Sequence, residues 1–152
     1  MSARPAAPKG ARTAGLLMTC PGIDLPCVVD DVTRQFWAYE KAFMANDVEA
    51  LIAFFWADPR LTRYGIADRQ LGIDEMRAFR RAGPAPDFTR RIENLRVATF
   101  GTAAAVASCE FVRSDTALRG FQSQTWVRLT EAGASAATWK IVSAHVSMIP
   151  FA

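Results

Sequence analysis

Apolar residues recur along this chain first at helical and then at strand spacing. Val29, Val32, Phe36, Tyr39 and Phe43 step by 3, 4, 3 and 4, which lays them on one helical face. Tyr39 therefore points where Phe36 and Phe43 point. Asn46 with Glu49 three residues on has the form of a capping box. Val48, Leu51, Ile52 and Phe55 then supply the inner stripe of a second helix, which Pro59 helps to stop.

Residues 61–66 alternate instead, and read as a short strand, followed by a turn at Ala67 and Asp68 and a return strand around 69–71. Asp74 is positioned to cap a third helix, with Met76 and Phe79 facing inward and Arg77, Arg80 and Arg81 forming a solvated ridge. Four longer strands are predicted at about 89–100, 102–113, 120–130 and 139–149, separated by turn signals. Helices followed by a run of strands describe an α+β domain whose curved antiparallel sheet packs on about three helices.

At 152 residues the chain fits one domain, expected at 29–152, behind a poorly ordered or draped Ala/Pro/Gly-rich extension at 1–28. No apolar run approaches the ~20 residues of a membrane span. The net charge of +3 comes from 15 Arg against 3 Lys, a bias toward planar anions such as carboxylates. Neither a basic stripe with stacking aromatics nor a reading motif is present, so nucleic acid is not an expected partner. Three cysteines, Cys20, Cys27 and Cys109, include no Cys-x-x-Cys pair, which fits reduced thiols in the cytoplasm.

Several chemistries drop out. His145 is the only histidine, no cluster has metal-ligand spacing, and no phosphate-binding or nucleophile-elbow motif occurs. No metal or cofactor is therefore expected. Arg63 is the unusual residue, because alternation sets it beside Leu61 on an apolar side of its strand. Its guanidinium must meet a carboxylate (Asp58, Asp68 and Glu110 are the candidates), reach water, or line a cavity that receives an anion. Tyr39 has two readings as well: a core aromatic with a satisfied hydroxyl, or a proton-transfer group on the wall of the same cavity. Gln122, Gln124 and Trp126 share one face of the fifth strand, and the Gln124 amide offers both a donor and an acceptor. His145 alternates with Ile141, Ser143 and Ser147.

The segments "AYEKAFMANDVEALIAFFW", "DPRLTRYG", "MRAFR", "FQSQTWVR" and "WKIVSAHVS" together resemble the AtzH-like and HpxZ-like branch of the SnoaL and NTF2-like superfamily. The similarity runs from about Val29 to Met148. It implies a cone-shaped α+β domain that dimerises through its outer sheet surface. It also implies a link to breakdown of urea-like carboxylated amides, either as a cofactor-independent hydrolase of the 1,3-dicarboxyurea type or in oxalurate and purine degradation. The tyrosine and arginine implicated in the hydrolase fall in "AYEKA" and "TRYG", here Tyr39 and Arg63. The resulting expectation has Arg63 anchoring a substrate carboxylate and Tyr39 moving a proton. Gln124, Trp126 and His145 are expected to border the amide or urea. A noncatalytic dimer that binds a small acid, or assists a neighbouring amidohydrolase, is the alternative.

Overall fold

The computed structural model describes residues 22–151. Helix α1 (Pro26–Met44) buries Val32, Phe36 and Tyr39 of the stripe that the spacing predicts, with Val28 buried beside them and Val29 and Phe43 half-buried. It begins three residues before Val29, with Pro26 in the first turn, where the missing N–H costs nothing. The chain just ahead of it is anchored too. Asp24 donates its N–H to the Thr99 carbonyl at 3.1 Å, and its Oδ1 accepts from the Thr99 N–H at 2.9 Å. Residues 22–25 are thus tied to the chain at Thr99 and 26–28 open α1, while 1–21, with Cys20, lie outside the described residues.

Asn46 ends α1 instead of starting the next helix. Its φ of 50° is left-handed, a conformation that asparagine tolerates just past a helix C-terminus. Asp47 is the cap of α2 (Val48–Ala53), its Oδ1 accepting from the Ala50 N–H at 3.2 Å. Glu49 is then free to pair with Arg81 at 3.0 Å. Strands β1 (Thr62–Tyr64) and β2 (Arg69–Leu71) form a short hairpin that leads into α3 (Ile73–Ala82). Gly72, at φ 84°, caps α3 with no side chain. Asp74, expected there, lies within the first turn and pairs with Arg77 at 3.0 Å.

Strands β3 (Arg90–Phe100), β4 (Ala104–Arg113), β5 (Arg119–Leu129) and β6 (Thr138–Ile149) complete one curved six-stranded sheet of order β2-β1-β6-β5-β4-β3. All neighbours are antiparallel except β1 and β6, which run parallel. The expected curved antiparallel sheet is thus present, with one parallel junction where β1, arriving from α2, joins β6. Leu61, Phe36, Phe55, Met76, Trp126 and Ile141 fill the space between sheet and helices. Burial of such large side chains is the main stabilising term.

Gly120 sits opposite Phe111 in the β4–β5 register, and a Cβ there would lie 2.2 Å from the Phe111 ring. That ring carries the Arg90 guanidinium at 4.3 Å, so the glycine indirectly sets a wall of the site described below. Replacing Gly120 with Ala is expected to lower unfolding free energy by about 1–3 kcal/mol through overpacking. Urea unfolding measures it, and an unchanged midpoint would contradict the close approach.

Candidate functional site

Tyr39 on α1 and Arg63 on β1 do converge. Both line a chamber of about 60 Å³ between helices and concave sheet, together with Arg80, Arg90, Arg113 and Gln122. The chamber shares Phe43, Arg80, Phe88 and Arg113 with an outer cleft of about 340 Å³. That cleft is bordered by the loop at residues 83–88.

Three of the four guanidiniums are held from behind by carboxylates. Arg90 forms a two-pronged pair with Glu40, one bond being Nε to Oε2 at 3.1 Å, and the two side chains are only 5% and 7% exposed. Arg113 donates from Nε to Asp115 at 2.9 Å. Arg63 donates from Nη1 to Asp68 Oδ1 and to Gln70 Oε1, both at 2.8 Å. Of the three acids considered for Arg63, Asp68 is the partner. Among the described residues only Nη1 of this guanidinium is engaged. Burial pushes the Arg63 guanidinium below its ordinary range, while the Tyr39 oxygen and Asp68 act in the opposite direction. It stays protonated, as arginine does in proteins.

Arg80 is the exception. It has no carboxylate partner among the described residues; its Nη2 donates to the Tyr39 hydroxyl at 3.0 Å, and its Nε is buried with no acceptor. Its guanidinium carbon lies 5.6 Å from the Phe79 ring centre and 5.7 Å from that of Phe43, so aromatic faces replace part of its lost hydration. The expected solvated ridge on α3 therefore holds for Arg77 and Arg81 but not for Arg80. Ile73, Met76 and Arg80 fall at 0, 3 and 7 along α3, one stripe of the helix, and that spacing is the signal that could have placed Arg80 inside.

Gln122 is the second buried group with an unused donor. Its Oε1 accepts from Arg90 Nη2 at 3.0 Å, and its Nε2 has no partner among the described residues. Gln124, the glutamine singled out by its sequence context, is fully buried and accepts from Trp126 Nε1 at 3.1 Å. Gln124 and Trp126 are thus joined to one another in the core and do not line the chamber. His145 lies on the opposite, outer face of the sheet, exposed beside Tyr64 at 6.2 Å and bordering a shallow hollow with Ser108 and Ser123. The cause is a bulge. Thr125 pairs with Ser143 but Trp126 with Ile141, so Val142 is an extra residue that reverses the inward and outward sense of β6.

Among the described residues no group of three or more His, Cys, Asp or Glu is placed to hold a metal ion, and no helix is long and apolar enough to cross a membrane. Burial pushes the Cys109 thiol up to about 11, which keeps it protonated and poorly nucleophilic at neutral pH.

The family model for AtzH-like proteins matches residues 21–151. No curated protein matches the chain. Among solved structures, a protein of unknown function from the DUF3225 family of Pectobacterium atrosepticum is 42% identical, with 84% of this chain and 94% of that one covered and a TM-score of 0.77. A cystatin-like fold protein from Burkholderia xenovorans is 41% identical, with 86% and 98% covered and a TM-score of 0.79. A ketosteroid isomerase-like protein from Erwinia carotovora is 16% identical with 80% and 95% covered; its TM-score of 0.61 speaks for the shared fold alone. The matched span begins before α1, consistent with the anchored segment at 22–25.

Truncating Glu40 to Ala would strand the buried Arg90 charge, and about 3–5 kcal/mol of stability should be lost. Chemical denaturation tests this, and a loss under about 1 kcal/mol would show that the pair is solvated and replaceable. In the folded protein at pH 8, iodoacetamide should leave Cys109 unmodified, because its thiol titrates near 11. Peptide mapping that finds it alkylated as fast as in urea would contradict that environment.

Proposed function

We propose that this chain, which belongs to the AtzH-like family, is a hydrolase of small carboxylated amides or ureas acting in cytoplasmic nitrogen catabolism. The observation that carries the reading is the Arg80 guanidinium, without a carboxylate partner among the described residues and 3.0 Å from the Tyr39 hydroxyl on the wall of the chamber. A cation left without its counter-ion in a partly desolvated site favours an anionic ligand. Arg80 takes over the anchoring role first expected of Arg63. Asp68 and Gln70 fix Arg63 through Nη1, which leaves its remaining N–H groups for charge that develops during reaction.

In this scheme a substrate carboxylate pairs with Arg80, and water is the nucleophile. Its oxygen bonds to the amide or urea carbon, the carbonyl oxygen takes up negative charge near Arg63, and the C–N bond then breaks. Tyr39, whose oxygen accepts from Arg80, is free to give its proton to the departing nitrogen and recover one from the attacking water. A carbamate product loses carbon dioxide afterwards. The expected homodimer uses the outer sheet face, where Tyr64, Val106 and Ile149 are exposed.

One observation favours the alternative, a noncatalytic binder of small acids. Among the described residues neither a carboxylate nor a histidine lines the inner chamber to serve as base. A product assay beside calorimetry separates the two readings. Purified protein incubated with 1,3-dicarboxyurea, allophanate and oxalurate should release ammonia or carbon dioxide from at least one of them. Binding heat without product supports the binder.

Tyr39→Phe and Arg80→Gln should each lower kcat/KM about 100-fold or more, the loss expected for a charge-assisted contact in a desolvated site. Their melting temperatures should stay within a few degrees of the parent. Parent-like turnover by either variant would remove that residue from the mechanism.

A further inference from the structure

Gln122 stands at the end of a buried relay. Glu40 holds Arg90 with two hydrogen bonds, and Arg90 Nη2 donates to Gln122 Oε1 at 3.0 Å. A guanidinium has donors only, so the Gln122 amide oxygen must face it and the amide nitrogen must face away. Gln122 is 4% exposed, and it lines the same chamber as Arg80; among the described residues neither its Nε2 nor the buried Arg80 Nε has a partner. Two desolvated donors in one small space, with no acceptor among the described residues, suit a ligand that brings two acceptors.

The local charge count limits what those acceptors can be. Arg63 is matched by Asp68, Arg90 by Glu40 and Arg113 by Asp115, which leaves Arg80 as one surplus positive charge. Asp87, on the outer cleft, opposes a further anion there. The chamber is small, about 60 Å³, and shares walls with the outer cleft, so the end of a small ligand enters it while the rest lies toward the cleft.

We infer that the chamber selects a monoanion, one carboxylate for Arg80 and one neutral carbonyl oxygen for the Gln122 amide, over a dicarboxylate of the same size. The ligand class is a monocarboxylated amide or urea, placed ahead of dicarboxylated ureas. Gln122 reads the neutral end, and Glu40 and Arg90 are positioning residues that fix which way its amide points. The inference rests on the reading of the chamber as the substrate site.

Oxamate, which joins one carboxylate to one primary amide, and oxalate, a dianion of nearly equal size, are the probes for calorimetry at pH 7.5. The parent protein should bind oxamate about tenfold or more tighter than oxalate. Gln122→Met should weaken oxamate by about tenfold and leave oxalate within about threefold. Gln122→Glu is nearly isosteric and still accepts from Arg90, so it guards against misfolding. It removes the donor and cancels the surplus charge, and both probes should be lost.

Oxalate binding as tightly as oxamate, or Gln122→Glu binding oxamate like the parent, overturns the inference. Turnover of a carboxylated urea and its dependence on Arg80 would in that case leave the site reading in place. Failure of the parent to bind either probe, with no turnover of any carboxylated amide, overturns both.

Discussion

Burying guanidinium groups sets the terms for the rest of this structure. Arginine cannot discharge itself by losing a proton, so each of the four that reach the chamber needs an acceptor or a counter-charge. Glu40, Asp68 and Asp115 meet that need for Arg90, Arg63 and Arg113 without lining the cavity themselves. The fold thus keeps its carboxylates behind the wall and presents mainly donors to the interior. Arg80 is held by one phenol oxygen and two aromatic rings, and the excess of donors over acceptors is concentrated around it.

That arrangement depends on elements distant in sequence. Tyr39 is placed by the apolar stripe of α1, packing edge-on against Phe54 and Phe55 at 5.8 and 6.1 Å. Arg63 is placed by a three-residue strand whose pairing with β6 and β2 fixes which side faces inward. Arg80 is placed by the stripe of α3, and Gln122 by the close approach of β5 to β4 at Gly120. A site spread over α1, α3, β1 and β5 is rigid only if the sheet curvature is, which gives the tight packing of Phe111 against Gly120 a functional side.

The sequence made the helical face of Tyr39 legible because a 3-4 spacing sustained over fifteen residues has one interpretation. It narrowed the Arg63 partner to three acids, and the β1–β2 turn brings Asp68 to it. Arg80 was hidden by its neighbours Arg77 and Arg81, which are solvent-facing, so a run of basic residues masked one inward member. His145 was misplaced because strict alternation cannot anticipate the extra residue at Val142. Gln122 and Gln124 share a face, and letters alone could not say which one Arg90 would reach. The parallel β1–β6 junction was invisible for a similar reason: strand direction is a property of the whole chain path, not of the strand.

Similarity to other proteins takes the argument to a family and a fold, and the site chemistry must carry the remainder. The relatives above 40% identity are described as of unknown function or by fold only, so the assignment turns on whether the chamber is where an acid binds. The most direct measurement is a crystal structure with a small carboxylated amide bound. The account predicts a carboxylate oxygen within hydrogen-bond distance of Arg80 Nε, beside the Tyr39 hydroxyl. Ligand density confined to the outer sheet face near His145, with Arg80 turned onto an acidic side chain, would contradict it.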